Sequence, residues 1–114
     1  MPFDVFDRLR RPLRSPPVTS RYPDADPYLP PAARGLPELD ATRCDGSAAC
    51  VGVCPTGAIR LSDTIWSLDA GACIFCGACA RACPREAIRL GGQVLLAARD
   101  RDSLVIERAW RAEP

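Results

Sequence analysis

Seven cysteines of this 114-residue chain fall into two runs that share one spacing. The first run reads CDGSAACVGVCP over residues 44–55, and the second reads CIFCGACARACP over residues 73–84. Ser47 stands in the first run at the position that Cys76 holds in the second. Cysteine thiolates at short, repeated intervals are ligands for metal centres or groups that do redox chemistry. The chemistry of the chain is therefore expected at these two runs.

The second run has the bacterial iron–sulfur spacing Cys-x2-Cys-x2-Cys-x3-Cys-Pro, in which the fourth cysteine ligates the other cluster of a pair. Three thiolates on one tight loop can hold three corners of a cuboidal cluster. The predicted ligands of one complete [4Fe–4S] cluster are therefore Cys73, Cys76, Cys79 and Cys54. The predicted thiolate ligands of a second cuboidal cluster are Cys44, Cys50 and Cys83. This assignment uses all seven cysteines.

The fourth corner of the second cluster falls at Ser47, and three interpretations of it stay open. A serine alkoxide can ligate iron, although its proton is harder to remove than that of a thiol. The iron could instead be absent, or water or Asp45 could occupy it. We favour a cuboidal cluster with a weakened corner, either [4Fe–4S] or [3Fe–4S], over loss of the site.

Zinc and disulfides are the alternatives to iron–sulfur chemistry. Structural zinc sites use two Cys-x2-Cys pairs, often with histidine, and this chain has no histidine. An odd cysteine count and a start without the apolar core of a secretion signal disfavour disulfides and favour a cytoplasmic location. No stretch reaches the ~20 apolar residues that cross a bilayer. A net charge of +1 gives no basic field for nucleic acid.

The composition offers few side chains that could act as general acids or bases. The chain has neither histidine nor lysine, which removes the usual imidazole and amine groups, and no paired set of carboxylates stands out. We therefore expect a protein that moves electrons and not protons, with no catalytic residues of its own.

An internal repeat organises the centre of the chain. The shift that carries Cys44 onto Cys73 aligns LDATRC (39–44) with LDAGAC (68–73), and CPTGAIRL (54–61) with CPREAIRL (83–90). This repeat shift predicts an α+β fold over residues 38–92, made of two half-domains about a pseudo-twofold axis. Each half is expected to contain a short strand, a cysteine loop, a short helix at the Cys-Pro end and a second short strand.

The N-terminal segment, residues 1–37, contains nine of the twelve prolines. Proline favours extended backbone before it and interrupts helices, so we expect an extended docking arm with no long helix beyond Arg11. FDVFDRLRR (3–11) could form a short amphipathic turn. A disordered leader is the alternative.

The C-terminal segment, residues 93–114, is expected to pack on a partner or on the core. VLLAA (94–98) and LVIE (104–107) have the composition of short strands. An amphipathic helix over SLVIERAWR (103–111) is the competing interpretation.

Residues 38–92 resemble the two-cluster bacterial ferredoxins. The flanks SRYPDADPYLPPAARGLPELDATRC (20–44) and VLLAARDRDSLVI (94–106) are similar to segments of small iron–sulfur subunits of membrane-bound [NiFe] hydrogenases and formate hydrogenlyases, and of the eight-iron subunit of complex I. Ser47 departs from that family's eight cysteines.

The resemblance implies an electron-relay subunit in a cytoplasmic peripheral arm, attached to the inner face of the membrane through partner subunits. The partners would be other subunits of a hydrogenase-like or complex I-like assembly. A free soluble two-cluster ferredoxin is the alternative, and a structural metal module without redox turnover is a third hypothesis.

Overall fold

The computed structural model describes residues 5–17 and 19–111. The chain divides into a first compact unit that ends at Pro30 and a second that begins at Pro31. Residues 1–4, 18 and 112–114 lie outside the described residues, and so does the Phe3 position of the expected N-terminal turn. Among the described residues, no helix combines the length and the apolar character that crossing a membrane requires.

Helix α1 in the first unit spans Val5–Arg14 and contains Pro12. The helix continues for three residues past Arg11, the position beyond which no long helix is expected. Pro12 removes one backbone N–H donor from the helix, and the last turn closes with the Ser15 N–H donating to the Arg11 carbonyl at 3.0 Å. The described residues of 16–30 form no helix or strand.

The second unit mixes short helices and short strands, which agrees with the expected α+β class. Its elements are β1 (Pro37–Leu39), α2 (Ala49–Val53), β2 (Ile59–Leu61), β3 (Ile65–Asp69), α3 (Ala78–Ala82), β4 (Ile88–Leu90), a 3-10 turn (Asp102–Leu104) and β5 (Val105–Ala109). Strands this short cannot form a stable sheet alone, so their pairing depends on packing between distant parts of the chain.

Strand pairing joins the segment before each cysteine run to the segment after the other run. Strand β1 lies antiparallel to β4, with Leu39 opposite Ile88. Strand β3 lies antiparallel to β2, with Leu68 opposite Ile59. Each of these strand pairs links a segment beside one run to a segment beside the other run. The two runs are therefore held against each other, and α2 packs against α3.

The backbone conformation of the first run recurs in the second. The residues that follow α2 and α3, Cys54 and Cys83, both have φ −68° and ψ 116°. The positive φ values also recur at the repeat shift, in the pairs Gly46 and Phe75, Ala48 and Gly77, and Gly57 and Glu86. Backbone angles therefore recur at these corresponding positions despite the different residues there.

The core of the second unit is built on strands that pass between the cysteine runs. Trp66 and Leu68 of β3 are fully buried, and Ile59 and Ile88 pack with them. Cys50 and Cys79 belong to the same cluster of buried residues. These two cysteines, which the repeat shift relates to each other, therefore face the interior.

Strand β5 extends the second sheet, with Ile106 opposite Leu68 of β3. The expected LVIE strand is confirmed from Val105 onward, and the competing helix does not form. The expected strand over residues 94–98 is wrong, because that stretch has no regular structure. Leu96 packs on the core there, whereas Leu95 is exposed.

Candidate functional site

One cavity is lined by thiols from both cysteine runs. Its sulfur-bearing residues are Cys54, Cys73, Cys76 and Cys79. Apolar side chains complete much of its wall, including Ile59, Leu68 and Ile74. The structure thus brings together the four residues that the spacing rule assigned to one complete cluster.

Asp69, at the end of β3, shapes the loop that carries the second run. Its carbonyl accepts the N–H groups of Ala72 and Cys73, each at 3.1 Å, and its Oδ1 accepts the Gly71 N–H at 3.0 Å. Arg101 donates to the other carboxylate oxygen at 2.6 Å. These bonds fix the entry of the loop, so that Cys73 begins it in a defined position.

Backbone N–H groups point at the sulfurs that line the cavity. Ala58 donates to Cys54 Sγ at 3.3 Å, and Phe75 donates to Cys73 Sγ at 3.4 Å. Burial acts to raise the pKa of the Cys54 thiol, but its contacts with the Thr56 hydroxyl and the Ala58 N–H lower that pKa overall. These contacts therefore favour the thiolate form of Cys54, which is the form that binds metal.

Burial raises the pKa of the Cys73 and Cys79 thiols. Neighbouring sulfurs add to this, since Cys73 lies near Cys54 and Cys76, and Cys79 lies near Cys73. Several thiolates crowded in a half-buried cavity need a cationic centre to neutralise them. Four cysteines around one cavity fit the all-cysteine ligand set of a [4Fe–4S] cluster.

The thiols do not converge on a single point. Across residues 5–17 and 19–111, no three His, Cys, Asp or Glu side chains lie close enough to hold one metal ion. A cuboidal cluster presents a separate iron to each thiolate, so its ligands are spread around the cluster.

The remaining predicted ligands are only partly brought together. Cys44 lies near Cys50, where burial is the main cause of the raised pKa of the Cys50 thiol and the Cys44 sulfur adds to it. Cys83 follows α3, and its sulfur accepts the Ala87 N–H at 3.3 Å, the distance found between Ala58 and Cys54. Cys83 lines a separate, more polar cleft.

Ser47 lies on the exposed side of the first cysteine loop. Its N–H donates to Asp45 Oδ1 at 3.0 Å, which holds the loop in a tight turn. Gly46, beside it, adopts a φ of 73° under the Trp110 ring. Cys76, the residue that the repeat shift relates to Ser47, is half-buried in the other loop.

Sequence reasoning missed two tryptophans that contact the first run. Trp110 covers Gly46, and the indole of Trp66 lies beside Cys50. The repeat shift relates Trp66 to Pro37, so this position breaks the repeat. This break in the repeat is the sequence signal that could have identified Trp66.

Comparison with known proteins places the second run in a described family. Residues 66–89 match the 4Fe-4S binding domain. The chain carries at least one 4Fe–4S site. The matched residues include four of the seven cysteines, so the family match covers the whole of the second run.

A curated relative shows where such domains occur. The chain is 43% identical, over 51 residues, to NADH-quinone oxidoreductase subunit I 2 of Anaeromyxobacter dehalogenans (strain 2CP-C). That alignment covers 40% of this chain and 19% of the relative, so the chain spans about a fifth of the relative's length.

A solved structure of the membrane-bound sulfane sulfur reductase, an archaeal respiratory membrane complex, contains a similar chain. The TM-score is 0.71 at 28% identity, over 88% of this chain and 57% of that one. These similarities confirm the predicted resemblance to small iron–sulfur subunits of membrane-bound oxidoreductase complexes. The narrower assignment to a [NiFe] hydrogenase stays a prediction.

Proposed function

We propose that this protein is an electron-transfer subunit that relays electrons through two iron–sulfur clusters within a membrane-associated, multisubunit oxidoreductase. The observation that carries the proposal is the cavity in which Cys54 of the first run joins three cysteines of the second. Iron–sulfur clusters supply one-electron transfer, and the chain positions and shields them.

The proposed fold is the two-cluster ferredoxin fold with a pseudo-twofold repeat over residues 38–92. The proposed ligands of the complete [4Fe–4S] cluster are Cys54, Cys73, Cys76 and Cys79. The second cluster is held by Cys44, Cys50 and Cys83, with its fourth corner at Ser47. Support comes from the recurrence of backbone angles between the two runs and from the matching N–H bonds to Cys54 and Cys83.

The proposed partners are other subunits of a complex I-like or hydrogenase-like assembly at the inner face of the cell membrane. Residues 1–37 act as a docking arm, and residues 93–114 pack on the core or on a partner. Helix α1 supports this role because its apolar side chains are largely exposed, with Phe6 at 70% and Leu13 at 86%. A free carrier gains nothing from such a face, whereas a subunit can bury it.

Anaerobic purification from native membranes tests the proposal. We expect comigration with large partner proteins, and roughly eight irons per chain for two four-iron clusters or about seven with a three-iron cluster. Reductive titration followed by electron paramagnetic resonance should give two signals. A small, partner-free iron protein would support the free ferredoxin, and a protein without any iron signal would support the structural metal module.

A further inference from the structure

Trp66 carries a buried polar group without a protein partner. Its side chain is only 1% exposed. Within the part of the chain that the structure describes, its Nε1 is the one buried side-chain nitrogen or oxygen that makes no hydrogen bond. The indole N–H can only donate, and buried donors almost always have an acceptor. The functional protein therefore needs an acceptor at this position.

Cys50 is a sulfur-bearing residue of the same buried cluster as Trp66, and the Trp66 indole acts on its thiol. Burial raises the pKa of the Cys50 thiol, and the Trp66 indole is the strongest of the groups that act in the opposite direction. Both residues belong to the same buried cluster. A neutral thiol is a weak acceptor, whereas a metal-bound thiolate is a strong one.

The corresponding place around the other cluster has no such donor. The repeat shift relates Trp66 to Pro37 and Cys50 to Cys79. Pro37 lines the cavity that contains Cys79, and proline has neither a side-chain donor nor a backbone N–H. The donor therefore exists on one side only, and that side also contains Ser47.

We propose that Trp66 donates its indole N–H to the cluster-bound sulfur of Cys50 and raises the reduction potential of the cluster on the Ser47 side. The inference rests on the proposed function, because it requires that cluster to form. A hydrogen bond to a ligand sulfur withdraws negative charge from the cluster. The reduced cluster carries one more electron than the oxidised one, so the bond stabilises the reduced state more.

Trp66→Phe in the full-length holoprotein tests the donor, since it keeps an aromatic ring and removes the N–H. We expect a negative shift in the midpoint potential of one cluster, measured by redox titration with electron paramagnetic resonance, and no shift in the other. Trp110→Phe is the matched control, because that indole donates to the Ser62 carbonyl at 3.0 Å and not to sulfur. An equal shift in both variants, or none in Trp66→Phe, would overturn the proposal.

A second measurement uses the natural Trp66 and does not depend on how well that variant folds. The Trp110→Phe variant is prepared with ¹⁵N-labelled tryptophan indole, so that Trp66 carries the sole labelled indole nitrogen. Electron–nuclear double resonance of the reduced cluster should then show a ¹⁵N coupling. If both clusters are intact but the ¹⁵N coupling is absent, the proposed role of Trp66 is refuted and the two-cluster function is not. A protein in which no cluster forms on the first run refutes the two-cluster function itself.

Discussion

Cys54 and Cys73 belong to different cysteine runs, yet their side chains line the same cavity. The Cys54 sulfur lies near enough to contribute to the raised pKa of the Cys73 thiol, after burial as the main cause. Strand exchange produces this contact, because β3, which leads into Cys73, pairs with β2, which follows Cys54. The cavity of the second run therefore depends on a cysteine of the first run.

Replacing Cys54 with alanine should damage the cluster of the second run and spare that of the first. Cys76→Ala should give the same result, since both residues line one cavity. Cys83→Ala is the control and should have the opposite pattern. Iron content and the two paramagnetic resonance signals would be measured on each variant. Loss of the same cluster in Cys54→Ala and Cys83→Ala would contradict the crossed assignment.

Ser47→Cys should give the first run a full set of thiolates. Ser47 has the loop position of Cys76, and thiolates bind cluster iron more readily than alkoxides do. We expect the spectrum and potential of one cluster to change while those of the other stay the same. Ser62→Cys controls for an added thiol, because Ser62 precedes β3 and lies outside both runs. Two unchanged spectra in Ser47→Cys would show that residue 47 does not face a cluster.

The spacing of the cysteines predicted much of the site because ligand geometry constrains the loops. The cysteine spacing was enough to propose the grouping of Cys54 with the second run. The structure has the same backbone angles at Cys54 and Cys83, as expected for two runs with the same spacing. Strand partners were harder to predict. The AIRL segments of β2 and β4 are identical in sequence, and only tertiary packing decides which strand each one joins.

Two features of the fold contradicted local sequence signals. Pro12 lies within the last turn of α1, and the helix ends two residues after it, at Arg14. Residues 94–98 have strand-like composition but no strand partner, whereas β5 pairs with β3 along its whole length. Composition alone did not show which of the two apolar segments would reach the sheet edge.

Gly46→Ala should destabilise the fold around the first run. Gly46 has a φ of 73°, and a Cβ there would stand 2.5 Å from Trp110 Cη2. The left-handed backbone costs an L-residue about 1–2 kcal/mol, and overpacking typically adds about 1–3 kcal/mol. Anaerobic urea unfolding, followed by circular dichroism, would measure the loss in free energy of unfolding.

Gly57→Ala is the matched control for that variant. Gly57 has a φ of 63°, and a Cβ there would meet no atom within 4 Å. Gly57→Ala should therefore lower the free energy of unfolding only by the cost of the left-handed backbone, about 1–2 kcal/mol. If both variants lose the same free energy, Trp110 does not pack tightly on the first loop.

Deleting residues 1–30 should separate assembly from cluster binding. The second compact unit begins at Pro31 and contains all seven cysteines, so the truncated chain should keep both clusters and both resonance signals. It should lose comigration with partner proteins on native gel filtration, because α1 is removed with its exposed apolar side chains.

A full-length variant tests whether the apolar face of α1 is responsible. Phe6, Leu9 and Leu13 are spaced so that they share one side of the helix, and each is at least 64% exposed. Changing all three to serine should reproduce the loss of comigration with little effect on the second unit. Ile65→Ser, at an exposed apolar residue outside both cysteine runs, is the control and should leave assembly unchanged. Truncated protein that still comigrates with its partners would show that docking depends on the second unit instead.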